Sequence, residues 1–475
     1  MVFVTARAAA PVLSIQAAAT TYATVFDFSD SSDTTNFVRC NSSCVGIDHC
    51  VLAGHDFPDN PPRPFLGPDG NVWLWASNSQ ALATSISGGY GSYIKEANAD
   101  LSGPASGVNQ CKVGFQYTPV TPVNDGSNEQ QSLASLNNQH WLLEFWAQGI
   151  GRSFQAMAMI QNDFHGQSLP DCAGYASLTY CRYTNLIAGT WSNQQQQFTV
   201  PITQVSDDGI VDDYMTSPLF VTPSQYQAKH GEQGVNAQTN IVYAKNPGDR
   251  IPYYYVLINE ATPSTLPGGS AISGICLFRT NNVNDSNSWL GWNAVTKTFS
   301  VKFNANPYTT TISNPTICSF VLPSTYRFSL AYSPQYKTFI AIGDQGSASD
   351  ASNNEVVYAT TQDLTDWGPS NAPTNTGVML THSGAPSFTL EQYWVQTGGV
   401  NVTGEGYLSL IDPTSSSISR TYFGQPDSNF QYVSNNPYLY LVRFNPVVSG
   451  LGGDTERDVV RVPLAITCTA NCSVS

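Results

Sequence analysis

Carboxylates placed at turns are the first candidates for chemistry in this chain. Asp59 lies in Pro58-Asp-Asn-Pro-Pro-Arg63, and Asp163 lies in Gln161-Asn-Asp-Phe-His-Gly166. Glu232 sits in the Gly-rich His230-Gly-Glu-Gln-Gly234, and Glu260 follows Asn259 at the end of an apolar run. Two carboxyl groups facing each other across a pocket can divide acid and base work between them. Arg63 and Arg327 are cations able to clamp a carboxylate or a hydroxyl. His165, Asn240 and Tyr407 offer hydrogen bonds, and His165 can also carry a proton. Each has an ordinary reading beside the chemical one. Asp59 before prolines can cap a turn, Arg63 can pair with Asp59 to order that turn, and Asn162-Asp163 is also common loop composition.

Side chains so far apart in sequence meet only if the fold brings their turns together. Helical periodicity is nearly absent, and short β-branched and aromatic runs are separated by clusters of Gly, Pro, Asn, Asp and Ser, the pattern of an all-β sandwich, barrel or propeller. A degenerate repeat of strand, turn and strand runs along the chain. Its units are Arg63–Ser77; Trp141–Trp146 with Phe154–Ile160; Thr239–Tyr243 with Tyr253–Ile258; Tyr326–Tyr332 with Thr338–Ile342; and Gly406–Leu410 with Tyr438–Arg443. Outer strands follow at Ile275–Thr280 and Val356–Trp367. Five such units over about 400 residues predict a five-bladed β-propeller with long, disulfide-tied loops, inside the usual range of blade numbers. A sandwich of unrelated strands is the alternative. In a propeller, the starts of the innermost strands and the ends of the second strands emerge on one face. That face gathers Asp59, Arg63, His140, Asn240, Arg327 and Tyr407 from the first set, and Asn162, Asp163, His165, Asn259 and Glu260 from the second.

Composition narrows the partners. Charged residues are 11% and aromatics 12% of the 475 residues, and the net charge is −15. Nucleic acid and anionic membrane surfaces both need clustered Lys and Arg, so neither is expected as a partner. A hydrophobic content of 41% supports a sizeable core rather than disorder. No apolar run is long enough for a spanning helix. The ten cysteines, an even number, point to disulfides and an oxidising compartment. Cys40-x3-Cys44 and Cys468-x3-Cys472 have loosely zinc-like spacing, yet no His lies close by to complete a set. Cys172 and Cys181 bracket one loop and are expected to pair locally; Cys276 and Cys318 flank the third-to-fourth unit transition and are a second expected pair. Cys468 and Cys472, with Cys40, Cys44 and Cys50, are expected to tie the two termini. Sequons at Asn41, Asn284, Asn401 and Asn471 agree with secretion. Residues 1–20 partly resemble a signal segment with a poor apolar region, which leaves residues 21–475 as one propeller domain. Walker loops, Gly-x-Ser-x-Gly elbows and zincin motifs are absent from the sequence, and no cofactor or metal is expected.

Tyr358-Ala-Thr-Thr-Gln-Asp-Leu-Thr-Asp-Trp367 and Arg279-Thr-Asn-Asn-Val-Asn-Asp-Ser-Asn-Ser-Trp289 resemble the outer-strand motif of five-bladed glycoside hydrolases of the arabinanase, fructosidase and xylosidase type. Pro58–Phe65, Gln161–Gly166, Thr239–Ile241 and Tyr407–Pro413 are similar to a secreted, functionally uncharacterised group of that general type. The resemblance spans roughly residues 55–445 and implies carboxylates drawn from successive blades. It gives Asp59 the part of base or nucleophile, Asp163 that of stabiliser or acid, and Glu260 that of acid, with Glu232 competing for the last. Arg63, His165, Asn240 and Arg327 then line the pocket, and Tyr407 is an aromatic able to stack on a sugar ring. Asp163 departs from the Glu expected at its position. The function implied is secreted, glycoside-hydrolase-like action on extracellular polysaccharide. The alternative is a non-catalytic carbohydrate-binding or extracellular structural propeller, with self-association open.

Overall fold

The computed structural model describes residues 10–19, 23–26, 60–77, 80–81, 89–94, 100–102, 110–117, 139–165, 182–194, 197–200, 214–216, 233–261, 273–302, 318–347, 350–369, 372–381, 396–397, 400–401, 407–444 and 457–472. Among them, five antiparallel sheets follow one another as meanders. The first blade pairs Arg63–Leu66, Val72–Ser77, Gly89–Ile94 and Gln110–Tyr117 in that order from the inside out. The second pairs Gln139–Gln148, Gln155–His165, Arg182–Ser192 and Gln197–Val200. In the third, the innermost strand is broken into Gln233–Gln238 and Val242–Ala244, both paired with Tyr253–Ala261, and Ser273–Thr280 and Leu290–Asn293 lie outside. The fourth runs Ser329–Ser333, Thr338–Ser347, Asp350–Thr361 and Thr376–Thr381. The fifth runs Ser409–Ile411, Tyr438–Phe444 and Arg457–Ala470, and its outermost strand is Val12–Ala17 from the other end of the chain. The chain is therefore all-β and a five-bladed propeller.

Alternation along each strand explains why so many strands read as continuous apolar runs. A blade is buried on both faces, so odd and even residues pack against opposite neighbours. In the fourth blade, Phe339 and Ala341 join Tyr255, Leu257, Ile275 and Leu277 of the third, whereas Ile340 and Ile342 join Leu408, Leu439 and Leu441 of the fifth. Val256 and Ile258 face Met157, Met159 and Leu186 of the second blade. Leu74 of the first blade meets Ile411 and Tyr440 of the fifth. Aromatic rings fill the gap between the first and second blades, with Phe65 and Phe145 at 4.7 Å and Trp73 and Trp191 at 6.1 Å between centroids. Each buried Phe or Leu contributes about 1.5–3 kcal/mol, so five such interfaces hold the ring.

Ring closure corrects one cysteine expectation. Cys468 and Cys472 bond to each other, because Asn471 with φ +57° turns the chain back and leaves the Cα atoms 5.6 Å apart. Backbone pairing, with Leu13 opposite Cys468 and Ala17 opposite Leu464, joins the termini instead. Residues 12–17, assigned from the sequence to a leader segment, supply that strand. The Cys276–Cys318 disulfide forms as expected and ties the third blade to the segment that enters the fourth. Cys40, Cys44, Cys50, Cys172 and Cys181 lie outside the described residues.

A helix not expected from the sequence, Ser415–Phe423, lies between the two inner strands of the fifth blade and ends at Gly424 with φ +73°. No helix of the described residues is long and apolar enough to cross a membrane. The two outer-strand motifs end in buried Trp289 and Trp367. In the second motif, the Trp367 indole donates to Leu364 O (2.9 Å), and the Thr361 hydroxyl donates to Asp363 O and Asp366 O. Asn246 of the third blade clasps this turn, donating to Asp363 Oδ1 and accepting from Leu364 N.

Candidate functional site

All five blades send a polar residue to the axis. Arg63 starts the first innermost strand, Glu144 sits at a bulge of the second, Asn240 fills the break in the third, and Ser329 and Ser409 start the fourth and fifth. Arg63 Nε lies 2.7 Å from Glu144 Oε2. Its Nη2 donates to Phe328 O (2.7 Å) and Gln238 O (3.4 Å), and its Nη1 donates to the Ser409 hydroxyl. Glu144 Oε1 accepts from Ile241 N (3.3 Å). Asn240 accepts at Oδ1 from Leu330 N and the Ser329 hydroxyl, both at 2.9 Å, and donates to Leu330 O. Ser329 in turn accepts from Leu410 N. One arginine thus reaches all the other blades through their innermost strands.

Burial governs the electrostatics of this hub. Arg63 and Glu144 are 4% and 3% exposed. Loss of water lowers the guanidinium's pKa and raises the carboxyl's, while the attraction between them opposes both shifts. A buried pair of this kind is strongly destabilised when either partner is removed, because the other charge is left alone. The remaining cavity, bordered by Arg63, Glu144, Asn240, Ser329, Ser409 and Asn429, measures about 10 Å³, room for a single water molecule.

Below the hub, where the innermost strands end, a segment of the fifth blade crosses the axis as a plug. Ser428 O accepts from Leu66 N of the first blade (2.8 Å). Asn429 accepts from Ala147 N of the second (2.7 Å) and donates to Ala147 O. Gln431 accepts from Tyr243 N of the third, and its backbone accepts from Tyr332 N of the fourth. Asp427 organises the turn, accepting from the Ser415 hydroxyl, Asn429 N, Gln431 N and Gln431 Nε2. Burial raises its pKa against those bonds.

Above the hub, where the innermost strands start, the register gathers the residues expected there. His140 pairs with Asn162 and Gln139 with Asp163, which puts Asp163 beyond Glu144 at this end; Asn236 pairs with Asn259 and Val235 with Glu260. Arg327 and Tyr407 stand two residues ahead of the fourth and fifth innermost strands, with Tyr407 at φ +36° and its ring edge-on to Phe328. Gly343 lets Thr325 O pass close to the second strand of the fourth blade, where a Cβ would collide with it. Asn60 Nδ2 and both side-chain polar atoms of Gln238 are buried without a partner among the described residues, as are Trp146 Nε1, Ser333 Oγ and Asn435 Oδ1 near the plug. Such atoms are costly to bury unpaired.

Arg63 and Asn240, expected to line a pocket, stand together in the sealed hub. Arg63 clamps both a carboxylate and a hydroxyl, and its partner is Glu144; Asp59 lies outside the described residues, as does Glu232. Asp163 and His165 are placed in their strand by backbone alone. Glu260 shares the strand face of Val256 and Ile258, so its carboxyl turns between blades and stands 2.9 Å from Cys276 Sγ at 1% exposure. Burial pushes that carboxyl up to about 8, with Cys318 N pulling it back. Glu260 and the two disulfide cysteines form a cluster of metal-ligand types, but both sulfurs are spent in the disulfide. Asn284 is exposed, Asn471 is exposed with its amide on Ala10 O, and Asn41 and the Asn401 side chain are not described. Glu144, Ser329 and Ser409 were not anticipated. A lone Glu inside Trp141-Leu-Leu-Glu-Phe-Trp146 was the available signal, since a charge in so apolar a strand needs a buried counter-ion.

No protein-family model matches the chain, and no curated protein sequence does. Among solved structures, an N-acetylgalactosamine deacetylase from F. plautii matches over 95% of this chain and 96% of its own at 10% identity and a TM-score of 0.36. An α-L-arabinofuranosidase from Lactobacillus brevis matches over 86% and 91% at 9% identity, TM-score 0.38. A GH43_1 enzyme from Xanthomonas citri matches over 91% and 94% at 11% identity, TM-score 0.37. None of these assigns a role to a residue of this chain.

Proposed function

We propose that the chain is a glycoside-hydrolase-like propeller that takes a neutral polysaccharide at the strand-start end of its axis, in an extracellular setting. The observation that carries this reading is the asymmetry of the axis. Hub and plug close one end, while the other collects polar side chains, among them the buried amides of Asn60 and Gln238. An amide presents a donor beside an acceptor, which suits the adjacent hydroxyls of a sugar. Asp59, four residues ahead of Arg63, and Asp163, opposite Gln139, belong to this end and are the proposed acid/base pair. One carboxylic acid protonates the leaving oxygen while the other carboxylate activates water or attacks the sugar. His165, Glu232, Arg327 and Tyr407 are proposed to line the site, and Glu260, turned to the disulfide, serves packing. Disulfides and the exposed sequon at Asn284 support secretion.

A second reading, binding without catalysis, is favoured by the fate of Glu144: the carboxylate on the axis is neutralised by Arg63 and sealed. Hydrolysis of a plant, algal and fungal polysaccharide panel separates the two. Sugar released by wild type and abolished in Asp59→Asn and Asp163→Asn is the expected result. Retention of a polysaccharide without release, equal in both variants, selects the binding protein. Neither release nor retention overturns both readings.

A further inference from the structure

On the plugged face, remote from the proposed site, the helix Ser415–Phe423 borders a groove of about 240 Å³. Its walls are Gln335 from the first hairpin of the fourth blade, Ser417, Ile418, Thr421 and Tyr422 from the helix, and Val433 and Ser434 from the segment after the plug. The lining carries hydroxyls, an amide and an aromatic ring, and no charged group. Asp412, the nearest acid in sequence, is 1% exposed and accepts four hydrogen bonds, from Thr414 and Ser434. Tyr422 is 49% exposed and has no ring neighbour among the described residues, unlike Phe423, whose ring packs on Tyr432 at 4.9 Å. The Tyr422 ring is thereby open on the groove side to stack on a ligand.

We infer that this groove is a second carbohydrate-binding site, in which one ring of a neutral polysaccharide stacks on Tyr422 while its hydroxyls meet Ser417 and Gln335 and donate to the Thr421 hydroxyl, whose own proton is held by Ser417 O. The inference rests on the polysaccharide reading above and deepens it. The absence of charge from the walls leaves an ionic ligand such as a phosphate without a counter-ion, and a groove of about 240 Å³ has room for a sugar ring. A site on the opposite face from the axial mouth anchors a long chain without blocking the end where it is proposed to be cut.

Affinity electrophoresis in gels containing soluble arabinan, xylan, mannan or β-glucan tests this, beside hydrolysis of short oligosaccharides. Wild type is expected to be retarded by at least one polymer. Tyr422→Ala and the groove-filling Ile418→Trp weaken that retardation about tenfold, the loss of one stacking contact, and leave short-substrate hydrolysis unchanged. Asp59→Asn does the reverse, losing hydrolysis and keeping retardation, so failure of catalysis and failure of the second site are told apart. Ile251→Ala, which trims another exposed apolar residue, leaves retardation intact. Equal retardation of Tyr422→Ala and wild type overturns the site. So does retardation of wild type by none of the polymers, or a loss in Ile251→Ala as large as in Tyr422→Ala. A dimer in sedimentation velocity that Tyr422→Ala disperses also overturns it, in favour of a second copy of this chain.

Discussion

The two ends of the propeller axis are built from the same residue types and treat them differently. At the plugged end, the side chains of Asn429 and Gln431 bond to the backbone of the second and third blades, backbone carbonyls of Ser428 and Gln431 reach the first and fourth, and the Asp427 carboxylate accepts from Asn429 and Gln431. At the strand-start end, Gln238 and Asn60 bury amide atoms that have no partner among the described residues. A satisfied buried amide contributes on the order of 1 kcal/mol, whereas an unsatisfied one costs about 1–3 kcal/mol. Unpaired buried atoms occur at both ends, since Trp146 Nε1, Ser333 Oγ and Asn435 Oδ1 near the plug also lack partners among the described residues, so what sets the two ends apart is the plug itself.

Breaking the hub that divides the two ends is expected to have the largest effect. Arg63→Met leaves Glu144 buried and uncompensated and lowers stability by about 3–5 kcal/mol, read from the chemical-denaturation midpoint. The double variant Arg63→Met/Glu144→Leu recovers much of that loss; a single variant within about 1 kcal/mol of wild type removes the hub from the account of stability.

The next effect concerns pH. With its folded value near 8, above the usual 4.5, Glu260 binds more protons in the folded than in the unfolded chain between those values. Unfolding free energy therefore falls as pH rises from about 4.5 through 8, and the carboxyls of Glu144 and Asp427, also raised, act in the same direction. Melting temperature is expected to be lower at pH 8 than at pH 5, and Glu260→Gln flattens the slope. A slope unaltered by that substitution assigns the pH dependence elsewhere.

Two smaller substitutions sharpen the contrast between the ends. Asn429→Ala strands Ala147 N and O and is expected to cost about 1–3 kcal/mol in stability with polysaccharide binding unchanged. Gln238→Leu, at the other end, holds stability constant or raises it by about 1 kcal/mol, and weakens polysaccharide binding at the axial site. Isothermal titration with an oligosaccharide shorter than the span between the two faces reads the second part. If both variants lose stability alike, the difference between the ends is not real.

The parts of the fold that were legible are those a strand announces by itself. Tyr253–Ile258, Thr338–Ile342 and Tyr438–Arg443 are apolar on both faces, and the structure makes each the second strand of a blade packed on both sides. The repeat also located the strand-start end, where Asp163, Glu260, Arg327 and Tyr407 stand. Illegible were contacts between residues far apart in the chain. Ser329 and Ser409 read as ordinary strand-edge serines, and only their placement around Arg63 and Asn240 makes them part of a hub. The plug was invisible because its bonds run to four different blades and leave no periodicity. Glu260 was misplaced in expectation because alternation alone decides which side of a strand it takes, and the apolar residues before it commit it to the space between blades.

Local chemistry, carried by the sequence itself, determined the strands, the number of blades, the even cysteine count and the low charge. These follow from nearest-neighbour propensities and side-chain alternation, which need no knowledge of what lies across the ring. Tertiary structure alone decided that Arg63 pairs with Glu144, that Cys468 bonds to Cys472 while a strand from residues 12–17 closes the ring, and that one end of the axis is sealed. A buried charge or amide takes whichever partner the closed ring brings within about 3 Å, and that distance is set by five blades at once.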